Sequence, residues 1–262
     1  GYGEEILAKA LGHERNNIVI ATKFGYDFYD SIERIGHQER TQRFEPDFIR
    51  FACEQSLKRL NTDYIDLYQI HWWDSNTPLE ETLRTLDDLV SQGKIRYAGS
   101  SNFSAWHACE AAWTAQSLGV TSLISTQPRY SMMDRVVENE LVPFCQKYGV
   151  GILPYYPLEN GFLTGKYRRN EDAPAGTRLA ANDRGMFTDK NFDVLDGLIA
   201  FAEARDHTVL DLAFSWLLAN KAVSSVIAGA TKIEQVITNS KAAAWDLTTE
   251  EVDEVNGILG AN

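Results

Sequence analysis

At 262 residues and 44% apolar content, the chain can bury one large core, and about 250 residues is a common size for a single α/β domain. Its 37 acidic and 25 basic residues leave a net charge of −12, which argues against general attraction to nucleic-acid phosphates or to an anionic membrane surface. Cys53, Cys109 and Cys145 show neither CxxC nor Cys/His ligand spacing, so no disulfide framework and no metal site is indicated. A reducing compartment, the cytoplasm, fits that usage, and no apolar run approaches the roughly 18 residues of a membrane span.

In chain order, strand-like and helix-like segments alternate with short breaks, the pattern of a parallel sheet with crossover helices. Helical spacing begins at residues 4–11, and the β-branched run NIVIATKF predicts a first strand over 17–24. A loop of about twenty residues follows, long enough to suggest a lid or pocket wall. Pro46 opens a helix over 46–60, and DYIDLYQIHW predicts a second strand ending at His71. Next come a helix over 78–91 closed by Gly93, a strand over 95–100, a helix over 106–118 and a strand over 123–126. A helix over 136–148 and a strand over 151–155 lead into a second long connection, 159–190, containing GFLTGKY. Helices over 192–205 and 209–220, a sixth strand over 224–227, and helices over 233–244 and 249–259 complete the chain.

Two of these strands end in residues that buried strands rarely tolerate. Lys23 closes the first and His71 the second, so both project from the carboxyl ends of neighbouring parallel strands, roughly 4.8 Å apart. In a closed β/α barrel that end is the catalytic face. Six strands are readable where a (β/α)8 TIM barrel has eight, so the expectation is one barrel domain over 1–262 with its first two βα units missing from the start.

The segments EEILAKAL, IVIATKFG, SLKRLNTDYIDLYQIHW, GKIRYAGSSNFS, ISTQPRYSMMDR, GVGILPYYPLENGFLTGKY, LAFSWLLAN and SVIAGATKIEQVITN, in this order, resemble the aldo-keto reductase family over nearly the whole chain. The resemblance is to its bacterial and channel-subunit-like branch. It implies reversible hydride transfer between a nicotinamide and a carbonyl by an Asp, Tyr, Lys and His set, in which Lys23 matches the lysine and His71 the histidine. Tyr2 lies too near the Glu4–Glu5 helix start to match the tyrosine, and the aspartate is expected upstream of Gly1.

The same resemblance implies a cofactor cradle. Ser101, Asn102 and Gln127 match the residues that hold the nicotinamide carboxamide, and Tyr155 the ring stacked on it. Pro157, Leu158, Gly161, Leu163, Gly165 and Lys166 match the wrap around the pyrophosphate, and Gly229 opens the adenosine segment. Thr231, with Glu234 three residues on, reads as a capping box at a helix start. Lys232 at that N-terminus would pair a 2′-phosphate, and Gln235 and Asn239, one turn apart, would face the adenosine. NADP(H) is therefore the expected cofactor, outside any GxGxxG unit. Tyr26, Trp72 and Trp73 are expected to wall the substrate pocket. The reading is an NADPH-dependent carbonyl reductase acting on a small molecule, for which a homo-oligomer is an allowed form. The alternative is a redox-sensing regulatory subunit that binds the cofactor with little turnover; Asn102 argues for the enzyme, because the regulatory branch carries another residue there.

Overall fold

The computed structural model describes residues 1–29 and 41–260, which form two compact units, Gly1–Gln127 with Tyr148–Val150, and Pro128–Lys147 with Gly151–Asn262. The tip of the first long loop lies outside the described residues.

In the first unit, β1 (Ala21–Phe24), β2 (Ile65–Ile70), β3 (Ile95–Ser101) and β4 (Leu123–Gln127) pair side by side in chain order, all parallel. The crossovers are α2 (Pro46–Leu60), α3 (Leu79–Ser91) and α4 (Ala105–Leu118), and α1 (Tyr2–Leu11) precedes the sheet. Local chemistry sets their ends. Pro46 sits at the start of α2, where its missing N–H is harmless, and Asn61 ends that helix in the left-handed region at φ 50°. Ser104 caps α4, accepting from the His107 backbone N–H at 3.4 Å, and Gly119 closes it at φ 66°.

Every residue of β2 is buried, as expected of a parallel strand covered on both faces. Phe24, Tyr68 and Ile70 pack with Ile49, Cys53, Leu57, Leu86 and Leu89 from the helices. Each fully buried Leu or Ile there contributes about 1.5–3 kcal/mol. The opposite face of the same strands carries Lys23 and Gln69, which are partners in register.

The first strand is shorter than the run 17–24. Gly12–Asn17 forms a 3₁₀ turn, and the Ile20 N–H donates to the Asp66 carboxylate at 3.0 Å instead of entering a ladder. Asp66 also pairs with Arg15 at 2.9 Å and Arg96 at 3.2 Å, and both guanidinium groups lie 4.0 Å from the Tyr64 ring centre. The ladder therefore starts at Ala21.

In the second unit the helix expected over 136–148 is split into a 3₁₀ turn, Val136–Glu138, and α5 (Leu141–Tyr148). A continuous helix would place Pro143 in its interior without a donor; starting at Leu141 puts it in the first turn. β5 is only Gly151–Ile152, because Pro154 cannot donate to a ladder. The sixth strand is reduced to the single parallel bridges Ile152↔Val223 and Tyr155↔Ile227, supported by Ile227 N–H donating to Pro154 O at 3.0 Å.

The long connection is partly ordered. It holds a 3₁₀ segment, Glu159–Thr164, and the short α6 (Arg178–Ala181), with Phe162, Tyr167, Phe187 and Phe192 packed on one another. Then follow α7 (Asp189–Glu203), α8 (Val209–Ala219), α9 (Ile233–Lys241) and α10 (Thr249–Leu259). Capping boxes at Thr208 with Asp211 and at Thr248 with Glu251 fix the starts of α8 and α10.

Candidate active site

The carboxyl ends of the first unit's strands assemble polar side chains on one face. Lys23 is the register partner of Gln69, and His71 follows Gln69 by two residues, so strand alternation directs all three to the same side of the sheet. His71 is anchored by its backbone: its N–H donates to Phe24 O at 3.0 Å, and its carbonyl accepts from Asn102 Nδ2 at 3.0 Å. Lys23 is half-buried, and that desolvation alone pulls its ammonium below its ordinary value, with no acidic partner among the described residues to oppose it. Such a lysine gives up its proton more readily than a solvated one.

The first long loop leaves β1 through a closed stem. Asp27 N–H donates to Thr41 O at 2.8 Å, Arg43 N–H to Gly25 O at 3.1 Å, and Tyr26 bridges Gln42. Gly25 is required there: its φ is +123°, and a Cβ would lie 2.6 Å from the Phe44 ring. The stem sets Tyr26 edge-on to His71 at 4.9 Å, while Trp72 lies parallel to His71 at 6.2 Å. Trp73 makes its ring contacts with Phe103, Trp106 and His107, the last stacked at 4.1 Å. Tyr26 and Trp72 thus stand beside His71, and Trp73 packs at the start of α4. Tyr2 is 64% exposed in α1.

Ser101, Asn102 and Gln127 are brought together. Ser101 Oγ donates to Gln127 O at 2.9 Å, Asn102 N–H donates to the same carbonyl at 3.2 Å, and Asn102 Nδ2 lies 3.0 Å from Ser101 Oγ. Asn102 adopts φ 59°, a conformation Asn tolerates better than most residues. Gln69, which sequence reasoning passed over, donates to Gln127 Oε1 at 2.9 Å. The signal available was an amide in the DLYQIHW run, in phase with His71.

In the second unit, Tyr155 is held by its backbone, with N–H donating to Pro128 O at 3.0 Å and its carbonyl accepting from Tyr130 N–H at 3.3 Å. After it the chain passes through left-handed conformations at Tyr156, Glu159, Asn160, Gly161 and Gly165. Pro157 and Leu163 are buried, and the Leu158 carbonyl accepts from Gly161 N–H at 2.8 Å and Leu163 N–H at 3.2 Å. Glu159, also unforeseen, is 1% exposed and fastens this loop, accepting from Arg129 at 2.7 Å and Ser131 Oγ at 2.8 Å. A Cβ on Gly161 would sit 2.8 Å from Lys166 Nζ, so the glycine keeps the backbone open beside that cation. Asn160 Oδ1 is buried without a hydrogen-bond partner among the described residues.

Gly229, Thr231, Lys232 and Gln235 are exposed, and Asn239 is half-buried. Thr231 does not form the expected capping pair with Glu234. Lys232 is the residue before α9, and Gln235 Oε1 reaches back to accept from Thr231 N–H at 2.7 Å and Lys232 N–H at 3.2 Å. Gln235 is the first residue able to return from the helix to those amides, which Glu234 does not reach. No cluster of metal-ligating side chains occurs among the described residues, and no helix there is long and apolar enough to cross a membrane.

A family model described as the Aldo/keto reductase family matches residues 1–259. The chain belongs to that family. Aldo/keto reductases are oxidoreductases that use nicotinamide cofactors, and their fold class, the (β/α)8 barrel, accounts for the parallel strand and helix succession of the first unit. The chain is similar to a probable voltage-gated potassium channel subunit beta from Oryza sativa subsp. japonica, 33% identical over 99% of this chain and 80% of the relative. It is equally similar to an NADH-specific methylglyoxal reductase from Escherichia coli (strain K12), 33% identical over 97% of this chain and 77% of that protein. Among solved structures, a glycerol dehydrogenase from Gluconobacter oxydans matches with a TM-score of 0.83 at 33% identity, covering 98% of this chain and 76% of that one.

Each unit by itself carries residues whose chemistry suits part of a dinucleotide. In the first unit the amides and the hydroxyl gathered at Ser101, Asn102 and Gln127 suit a carboxamide; in the second the Lys166 ammonium beside Gly161 suits an anionic group, and the orphaned Asn160 Oδ1 suits a hydroxyl or N–H donor.

Proposed function

We propose that this aldo/keto reductase is an NADPH-dependent carbonyl reductase, converting a small aldehyde or ketone to its alcohol. The observation that carries the reading is Lys23: a half-buried ammonium without an acidic partner among the described residues, on the same sheet face as His71. The bound nicotinamide supplies a hydride. What the chain must supply is stabilisation of the carbonyl oxygen as it gains negative charge, and a proton for it. His71 would orient that oxygen. Lys23 would place a positive charge beside it and, with its affinity for the proton lowered, would ease proton delivery, directly or by acidifying a neighbouring phenol.

Ser101, Asn102 and Gln127 would hold the carboxamide, and Tyr155 would stack on the ring. Pro157, Leu158, Gly161, Leu163, Gly165 and Lys166 would line the pyrophosphate, and Gly229, Thr231, Gln235 and Asn239 the adenosine. Lys232, exposed at the start of α9, would meet a 2′-phosphate, the feature that favours NADP over NAD. Tyr26, Trp72 and Trp73 would wall the substrate pocket, the first two beside His71 and Trp73 from its place against the start of α4. The substrate is a small molecule, and the cytoplasm suits a chain with three free cysteines.

The test is oxidation of NADPH by the purified protein with a panel of small aldehydes. Turnover is expected to fall by about 100-fold or more in Lys23→Met. Tight binding of NADPH with no aldehyde-dependent oxidation would instead favour the regulatory-subunit reading.

A further inference from the structure

Gln69 and Gln127 come from β2 and β4, which are not neighbours, yet their side chains are hydrogen-bonded at 2.9 Å. The strand between them, β3, carries Gly99 as the register partner of Gln69. Any side chain there would collide, since a Cβ would lie 2.5 Å from Ser125 Oγ and 3.2 Å from Leu67. Gln69 is 1% exposed and Gln127 6%, so the bond lies in the interior, where geometry is enforced by packing. Gln69 Oε1 has no partner among the described residues. An orphaned buried acceptor costs about 1–3 kcal/mol, so an amide here is poorly explained as core filling when an apolar residue would avoid that cost.

We propose that Gln69 is a positioning residue for the nicotinamide end of the cofactor, an inference that rests on the cofactor reading above. By donating to Gln127 Oε1, Gln69 fixes which end of the Gln127 amide faces the site. The Oε1 end is occupied, and the Nε2 end is presented as a donor. That donor is complementary to the carbonyl oxygen of a carboxamide. The Gln127 main chain is already immobilised, its carbonyl accepting from both Ser101 Oγ and Asn102 N–H. The side-chain amide plane is the remaining freedom, and Gln69 removes it.

The experiment compares NADPH with 2′-phospho-ADP-ribose, which lacks the nicotinamide, by isothermal titration calorimetry on the native chain, Gln69→Leu, Gln127→Leu and the double variant. Gln69→Leu should weaken NADPH by about tenfold and leave 2′-phospho-ADP-ribose unchanged. In the Gln127→Leu background it should add nothing, because it acts through Gln127. The double variant removes both polar partners together and so protects the measurement against misfolding of the single one. Equal weakening of both ligands, no effect on NADPH, or additive losses in the double variant would overturn the positioning role while the cofactor reading stands. A native chain that binds neither ligand would overturn the cofactor reading, and the role of Gln69 with it.

Discussion

Lys23 and Gly25 stand two residues apart and differ in how far the sequence alone singles them out. Lys23 stood out in the sequence as a candidate, its role still the proposal above, because an ammonium at the end of an apolar run is anomalous. Gly25 was not, since its need arises from a φ of +123° and from Phe44, which the chain brings back from nineteen positions away. Gly25→Ala should destabilise the protein by about 1–3 kcal/mol, read as a fall in Tm of roughly 2–4 °C per kcal/mol in a chain of this size. A Tm unchanged within a degree would mean that the stem of the first loop adapts easily. Gln69 escaped sequence reading for a similar reason: its partner is two strands away in the sheet and 58 positions along the chain.

At the scale of elements, helices with strong punctuation were readable to the residue. Pro46–Leu60 and Thr249–Leu259 begin and end where proline, a capping threonine and apolar spacing predict. Strand ends were less legible, because a strand ends where its partner stops bonding. The Asp66 carboxylate takes the Ile20 N–H and so sets the first residue of β1. Asp66 also joins Arg15 and Arg96, and Asp66→Ala would leave the largely buried Arg15 with its charge uncompensated. A loss of about 3–5 kcal/mol in urea unfolding is expected. A loss below 1 kcal/mol would show that this cluster is solvated and does not fix the strand. At the start of α9 the pattern of Thr231 and Glu234 pointed to the right turn and the wrong pair, since Gln235 supplies the returning acceptor.

For the whole molecule, family membership was legible because eight ordered segments rarely recur on another fold, and the match over residues 1–259 spans both compact units. Cofactor preference is finer, and the proposal rests it on one exposed side chain, Lys232. Lys232→Ala should raise the Kd for NADPH by about tenfold, the effect of one lost phosphate contact of ~1.4 kcal/mol, and leave NADH unchanged. Equal binding of the two cofactors by the native chain would point away from NADP, in the manner of its NADH-specific relative. The central claim is hydride transfer itself. It is tested most directly by incubating the protein with a small aldehyde and NADPH deuterated at both C4 positions of the nicotinamide ring, and weighing the alcohol formed. The account predicts an alcohol carrying one deuterium on the former carbonyl carbon, and its loss in Lys23→Met. An unlabelled alcohol, or no alcohol from a protein that binds NADPH, would contradict it.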